Sequence, residues 1–509
     1  MPDSPPLVPP LRRDLTWEEG ADGVVRLADP RAGRKLKVDE RGRQIAMLLD
    51  RLQTADELAA RIAATGRGIA EEALARVLAA FDGLGLLDTS ETLGVADRMA
   101  RVEADWKADP ARVPIVVPPD LRFECRACGS CCLGANIGPV TDDVMQGLNP
   151  ARRKELKRAY AGRKGLFFSM VPDGGDDEIL VCQSRNGGCV FIDPDGLCGI
   201  HRRWGSEAKP HVCRLFPLQF VLTPRGVVVG LQTECRSILD ASRGRPLAEQ
   251  MDAIRPLLRL ATRPPSARQF VSLDGVATLS YAEYEALEDE AVAAIAGASG
   301  GFGMELAAAR CVAARLEAAG RAAPEPIAEA DLRHEFYGFL QDLGEALARL
   351  KQEHKTEGEG VRFHTSNLDL LLDAMSDVPL FADAVCASDE DPESARFARL
   401  AMTNAWRSKD FLHPVDLATA RAVSGLRWLL TRACAVTLAR RVSRRRPLPQ
   451  DLVDAWIAVN MLLRNKRVLR TIADRREALV RLFGDRLEAL VAMGGALVDV
   501  DPRTDFYLF

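Results

Sequence analysis

The stretch FECRACGSCCLG, residues 123–134, places four cysteines within eight positions. Two residues separate Cys125 from Cys128 and Cys128 from Cys131, and Cys132 follows directly. Thiolates at this spacing converge on one metal centre when a tight turn brings both sulfurs to the same side of the backbone, as in zinc knuckles and Fe–S loops. Gly129 permits the sharp turn that such a site needs.

Five further cysteines extend this cluster, so that nine of the twelve lie between Cys125 and Cys235. The additional residues are Cys182, Cys189, Cys198, Cys213 and Cys235. Asn-Gly and Asp-Gly dipeptides precede two of them, and Pro210 and Pro217 flank Cys213. These are turn signals, and they indicate a loop-rich segment that would have trouble burying a core without metal.

The identity of the metal stays open at this level, because all-sulfur sites suit both Zn²⁺ and Fe–S clusters. The neighbouring side chains of Cys131 and Cys132 are expected to diverge, so that one of them serves a second centre or meets the first from another direction. Eight cysteines supply two four-thiolate sites, or one cluster and a redox pair. The alternative to a reactive centre is an inert metal staple.

The segments CRACGSCC and CVFIDPDGLCGIHRRWGSEAKPHVCRLFPLQF resemble the cysteine-cluster family called YkgJ, a zinc- or iron-chelating CxxCxxCC domain. This family also contains the flagellin lysine-N-methylases. The resemblance covers roughly residues 122–236, where eight cysteines and Pro210, Arg214, Phe216 and Pro217 fall in family order. A weaker similarity to the helical part of the methylases lies in FLHPVDLATARAVSGLRWLLTRACAVTLARR, residues 411–441.

The resemblance implies a bound metal centre, foremost a [4Fe–4S] cluster. For the methylase members it also implies methyl transfer from S-adenosylmethionine to protein lysines. Cys182 is a ninth cysteine that the family does not require, and His201 stands where an aromatic residue is common, so both are alternative ligands. The implied ligands are Cys125, Cys128, Cys131, Cys132, Cys189, Cys198, Cys213 and Cys235.

Five charged residues stand beside these cysteines in the sequence. They can orient thiolates or lower their pKa, or they can be solvated loop residues, which is the default for any one of them. They are Glu124, Asp193, Asp195, Arg214 and Glu234.

Residues 11–90 predict a small α+β domain of the winged-helix type. Alternating β patterns in DGVVRLADP and GRKLKVD precede helical patterns over 40–51, 55–65 and 71–87. Thr54 and Glu57 form a capping-box signature. The last helix has too few basic side chains to read DNA, which favours peptide or protein docking. The arrangement resembles the PqqD-type domain that holds leader peptides for peptide-modifying enzymes.

The rest of the chain predicts a mainly α protein. A linker over 91–120 leads to the loop-rich, metal-binding cysteine-cluster domain over 121–240, and an α-helical domain follows over 241–509. Apolar stripes at helical spacing predict the helices of that last domain. They cover residues 281–296, 303–320, 328–352, 366–376, 415–442, 450–464 and 470–497.

The composition predicts a soluble cytoplasmic protein. Its formal net charge of −4 gives no global attraction to nucleic acid or to anionic lipid. The N-terminus lacks the apolar region of a signal peptide, and no window reaches the roughly 18 uncharged apolar residues of a membrane span.

Three classes of function are compatible with these features. The first is an Fe–S enzyme that modifies a protein or peptide, such as a flagellin-like or leader-peptide target, through S-adenosylmethionine. However, the chain lacks a glycine-rich fingerprint after a strand and the radical-enzyme C-x3-C-x2-C spacing. The second is a non-catalytic metal-binding or redox-sensing interaction protein. Metal-dependent hydrolysis ranks last, because only His201 and His211 lie near the cysteines.

Overall fold

The structure is a computed structural model, and it is mostly helical with several small sheets, as the sequence predicts. It describes residues 7–490 except 20–23, 31–33, 67, 84, 120, 133–136, 161–166, 173–177, 186–187, 239–243, 262–263, 268–269, 275–276, 322–327, 357–364, 377–391, 413–415, 445, 464–467, 469–470, 473, 486 and 488–489.

The strands are β1 (Leu7–Val8), β2 (Thr16–Glu19), β3 (Val25–Asp29), β4 (Arg34–Lys37), β5 (Gln53–Thr54), β6 (Ile115–Val116), β7 (Arg122–Phe123), β8 (Phe168–Pro172), β9 (Glu178–Cys182), β10 (Ser184–Arg185), β11 (Gly188–Cys189), β12 (Leu218–Thr223), β13 (Gly226–Leu231), β14 (Arg245–Pro246), β15 (Phe270–Ser272) and β16 (Thr278–Ser280).

The α-helices are α1 (Glu40–Leu48), α2 (Ala55–Ala64), α3 (Glu71–Gly83), α4 (Ser90–Ala108), α5 (Asp142–Gly147), α6 (Pro150–Ala159), α7 (Gly199–Trp204), α8 (His211–Leu215), α9 (Met251–Ile254), α10 (Tyr281–Gly297), α11 (Gly301–Ala318), α12 (Glu329–Thr356), α13 (Thr365–Met375), α14 (Pro392–Arg407), α15 (Leu417–Arg441), α16 (Pro449–Leu463) and α17 (Arg476–Val480). Short 3₁₀ turns and one π-helical turn over Arg481–Asp485 complete the elements.

The N-terminal region packs α1, α2 and α3 against the antiparallel sheet β2–β3–β4. The predicted strands and helices are present, and β1, β2 and β5 were not predicted. The capping box at α2 is confirmed, since the Thr54 hydroxyl accepts from the Glu57 N–H at 3.2 Å and the Glu57 carboxylate accepts from the Thr54 N–H at 2.9 Å. The winged-helix assignment stays a prediction.

The segment predicted as a linker contains two elements that contact the cysteine region. In α4, the buried side chains of Met99, Val102 and Trp106 recur at helical spacing and pack in the same core as β12 and β13. Strand β6 extends the β12–β13 hairpin by pairing with β13 in parallel. The predicted domain boundaries stay predictions, and residues 91–120 do more than connect two regions.

Helices α10–α13, α15 and α16 lie within a few residues of their predicted bounds. Helix α14 was not predicted, although Phe397, Ala401 and Ala405 recur at i, i+4 and are buried in the core. The helix predicted over 470–497 is interrupted, and residues 491–497 lie outside the described part. Among the described helices, none is both long and apolar enough to cross a membrane.

Candidate metal centre

The nine clustered cysteines come from seven separate elements or loops. The loop after β7 carries Cys125 and Cys128, and a 3₁₀ turn over Ser130–Cys132 carries the next two. Cys182 and Cys189 end β9 and β11, Cys198 is the N-cap of α7, Cys213 lies in α8, and Cys235 follows β13.

Four of these cysteines pack in one small core, which also contains Phe191 and Ile200. Cys182 and Cys189 are buried in it, at 1% and 9% exposure, and their thiols are hydrogen-bonded to one another. Cys132 and Cys198 pack against the same core from its edge. Side chains that are distant in the sequence therefore meet in one core.

The vicinal pair does not diverge, and the sequence-based expectation about it is wrong. The Sγ atoms of Cys131 and Cys132 lie 3.9 Å apart. The reason is the 3₁₀ turn, which the Cys132 N–H closes by donating to the Gly129 carbonyl at 2.9 Å. Two thiolates on one tetrahedral zinc are about 3.8 Å apart, given a Zn–S bond of ~2.3 Å. The pair can therefore serve one ion.

Gly129 makes a backbone contact that joins two cysteine-bearing loops. Its φ is +70°, and a Cβ atom there would lie 1.9 Å from the carbonyl oxygen of Gly196. Gly196 closes the Asp193–Gly196 turn just before Cys198, with its N–H donating to the Asp193 carbonyl at 2.9 Å. The turn that the sequence predicts at Gly129 is present, and it also sets the distance between the two loops.

The electrostatic environment lowers the pKa of one thiol and raises the pKa of several others. The hydrogen bond with Cys132 lowers the pKa of Cys131 to about 6, and the nearby Lys209 charge acts in the same direction. That hydrogen bond, with burial, raises the pKa of Cys132. Burial raises the pKa of Cys213 to about 12 and that of Cys235 to about 11. One thiolate among several protonated thiols is a natural first ligand for a metal ion.

The donor set fits a soft metal ion by type and, for the vicinal pair, by spacing. Among the described residues, no three His, Cys, Asp or Glu side chains are already close enough together to hold one ion. The thiols meet in pairs, so metal binding has to draw neighbouring pairs together. Cys125 and Cys128 are exposed on their loop.

Among the charged residues that stand beside the cysteines, Asp193 contacts several polar side chains at once. It is buried, and the Tyr160 hydroxyl donates to its carboxylate at 2.8 Å. Arg202 and Arg203 lie at 3.4 and 3.7 Å from the same carboxylate. Burial raises the pKa of Tyr160 to about 12. Tyr160 and Arg203 had no signal in the sequence, and they fix the turn that precedes Cys198.

The other predicted supporting residues have different surroundings. Asp195 pairs with Arg202, and Arg214 pairs with Glu207 at 2.5 Å. Glu234 is buried, whereas Glu124 and the alternative ligand His201 are exposed.

A cavity of about 190 Å³ opens against the cysteines. Cys131, Cys132 and Cys213 line one side of it. Lys209 and Met461 also contribute, and Met461 comes from α16 in the C-terminal region. The remaining lining residues are Ile137, Val212, Phe216, Gln232 and Glu234. The helical region therefore contributes to the wall of the cavity, although no sequence pattern singled out Met461.

Polar contacts fasten the C-terminal helices to the strand that leads into Cys235. The Leu231 N–H donates to the Ser408 hydroxyl at 2.9 Å, and the Asn404 amide donates to the Leu231 carbonyl at 2.6 Å. Just after Cys235, Arg236 pairs with Asp454 of α16. These contacts fix the position of the Cys235 loop relative to α14 and α16.

No curated protein and no solved structure matches the chain. Residues 124–236 match the family model described as "CxxCxxCC: Putative zinc- or iron-chelating domain", and this part of the chain carries the cysteine-cluster domain that its motifs predict.

Proposed function

We propose that the protein binds iron as an Fe–S cluster at the clustered cysteines and uses this centre to modify a protein or peptide. The observation that carries the proposal is the convergence of thiols from separate loops beside a cavity. Four cysteines pack in one small core and Cys131 and Cys213 line the cavity beside it, which is enough thiols for a cluster held by four thiolates. A metal centre beside a cavity can be reached by a small molecule, which suits a reactive centre better than a purely structural metal site.

Two kinds of observation support the proposed metal ligands: the contacts among the thiols, and the order of the cysteines in the family that the region resembles. Cys131, Cys132, Cys189, Cys198 and Cys213 are the inner donors, because packing or electrostatic contact links each of them to others in this group. Cys182 joins them through its contact with Cys189. Cys235 lies near Cys131 at the rim, and Cys125 and Cys128 complete the set on the exposed loop.

The proposed chemistry is methyl transfer from S-adenosylmethionine to a lysine of the target, and it is supported by the resemblance of the cysteine region alone. An Fe–S cluster with an accessible iron supplies a position at which a substrate or cofactor binds. The chain's own residues shield this position with the apolar wall of the cavity. The N-terminal region over 11–90 docks the target protein or peptide, for which its resemblance to the PqqD type is the support.

The first test is anaerobic purification of the full chain with iron, zinc and sulfide analysis of one sample. We expect iron and sulfide in matching amounts with broad visible absorbance. Cys131→Ser, Cys182→Ser and Cys198→Ser should each lose metal, and Cys311→Ser, a partly buried thiol on α11, is the matched control. Stoichiometric zinc without sulfide would contradict the iron–sulfur assignment.

Catalysis needs its own measurement once iron and sulfide are present. The expected result is binding of S-adenosylmethionine in equilibrium dialysis and a mass increase of one methyl group on a target lysine. A cluster-loaded protein that binds no S-adenosylmethionine would rule out methyl transfer.

The close thiol pairs favour a second candidate, a non-catalytic redox sensor. Two buried thiols in contact, Cys182 and Cys189, are suited to oxidation once metal is lost. Loss of the centre under oxidant with changed partner binding would support this role. Product formation by the intact protein would exclude it.

A further inference from the structure

We propose that the cavity between the cysteine loop and α16 is a binding site for a small carboxylate with an apolar body of about benzene size, held by Lys209. The location of the ligand beside a metal centre rests on the proposed function, whereas the binding itself rests on the cavity.

The volume of the cavity limits the size of the ligand, and the residues that line the cavity limit its polarity. Its volume is about 190 Å³, and an apolar cavity of roughly 150 Å³ takes up benzene. Ile137, Val212, Phe216 and Met461 provide most of the non-thiol wall. An apolar ring fits such a wall because removing it from water is favourable in proportion to the buried area.

Lys209 is the proposed anchor for the anionic group of a ligand in the cavity. The side chain is half-buried, and it is the one cation among the described residues that line the cavity. A cation in a partly dehydrated site attracts an anion more strongly than one in water. Glu234, which lines the same cavity, is the group that would favour a cationic ligand instead.

The geometry gives the bound molecule a role at the centre. Cys131, Cys132 and Cys213 form one wall, so a ligand held by Lys209 lies directly against the proposed metal ligands. Met461 forms part of the wall from the C-terminal region, so it limits the length of the apolar body. The cavity therefore selects which small molecules reach the centre.

The test uses three probes of nearly equal shape and different charge on the full, metal-loaded chain. They are benzoate, benzamide and benzamidine, with binding measured by calorimetry or ligand-observed NMR. We expect benzoate to bind at least about tenfold more tightly than benzamide, which corresponds to ~1.4 kcal/mol. Benzamidine should bind weakest. Equal binding of the three, or preferential binding of benzamidine, would overturn the proposal.

Substitutions test which residues cause the preference for benzoate over benzamide. Lys209→Gln should remove the difference between benzoate and benzamide, and Lys209→Arg should retain it. Lys157→Gln, an exposed lysine on α6, is the charge-matched control. Met461→Trp should abolish binding of all three probes by filling the cavity, while Met461→Leu, which nearly conserves volume, should not. An unchanged benzoate preference in Lys209→Gln would refute the role of Lys209.

The metal content of each sample separates the two proposals. Benzoate-selective binding in a protein that takes up no metal would support the cavity site and contradict the proposed function. A metal-loaded protein that does not discriminate the probes would support the metal centre and contradict the cavity site.

Discussion

Gly129 stands at a position that no residue with a side chain fits. A Cβ atom would meet the Gly196 carbonyl oxygen at 1.9 Å, and the φ of +70° is itself unfavourable for other residues. The contact holds the loop of Cys131 and Cys132 against the turn that leads to Cys198. One glycine therefore sets the separation of thiols from two distant segments.

Gly129→Ala should push these two loops apart and weaken metal binding. We expect a loss of roughly 10–100-fold in apparent metal affinity, the range typical of changes next to ligands, measured by competition with a chelator. Gly147→Ala, where a Cβ atom would meet nothing within 4 Å, should bind metal like the parent chain. Equal affinities of the two variants would show that the contact does not position the thiols.

Residue type and spacing predicted the thiols and the Gly129 turn because both are local signals. The supporting residues had no such signal. Tyr160 reaches Asp193 from 33 positions earlier, and Met461 reaches the cavity from a different region of the chain. Neither contact follows from any pattern in the sequence, since each depends on how separate elements pack.

Helix α16 shows how an element positions part of the site. Pro449 occupies its first turn, and the Asp451 carboxylate accepts from the Leu448 N–H at 2.6 Å, which satisfies a donor at the helix start. Arg444 also pairs with this carboxylate, with one contact at 2.8 Å. The same helix carries Asp454, which pairs with Arg236, and Met461 in the cavity.

The start of α16 should lose stability in acid. The hydrogen bond from Arg444 lowers the pKa of Asp451, so the folded state binds this proton less readily than the unfolded chain does. The contribution is therefore present above the ordinary carboxyl range and is lost as pH falls through the lowered pKa.

Asp451→Asn tests this contribution. The variant should have a lower urea midpoint at neutral pH, and its midpoint should fall less on acidification than that of the parent chain. Asp331→Asn, at an exposed position of α12, serves as the control. Parallel pH profiles of Asp451→Asn and the parent would refute the assignment.

At the level of elements, the strong helical periodicity in the C-terminal half predicted most helices within a few residues. Helix α14 escaped prediction even though Phe397, Ala401 and Ala405 share one face. It begins at Pro392, inside the acidic stretch SDEDPE, whose charges and proline are typical of a loop and conceal the start of the helix. Tertiary burial against the other helices stabilises it, which local propensity does not report.

In the whole molecule, the cysteine region and the C-terminal helices are joined by buried contacts. Ser408 has no exposed surface, and its hydroxyl accepts from the last N–H of β13. Three of the six tryptophans, Trp406, Trp428 and Trp456, are fully buried in the helical core. The fluorescence transition therefore contains a signal from the helical core, to which Trp17, Trp106 and Trp204 add signals from the other regions.

Metal removal should lower the urea midpoint of the fluorescence transition, because ligand binding to the folded state stabilises everything that unfolds with it. Ser408→Ala leaves a buried N–H without this acceptor, and we expect a loss of ~1–3 kcal/mol. It should also reduce the effect of metal on the midpoint. Ser376→Ala, which deletes an exposed hydroxyl, is the control. A metal-independent midpoint in the parent chain would show that the two regions unfold separately.

The parallel pairing of β6 with β13 has a practical consequence for anyone who expresses the cysteine region alone. The family match begins at residue 124, whereas Ile115 and Val116 of β6 pair with Val227 and Val228. All six residues of β13 are buried. A fragment cut at the limits of the match would expose an unpaired apolar strand edge, which invites aggregation. A usable fragment has to begin before β6, and the best starting point is ahead of α4, whose apolar face covers the same sheet.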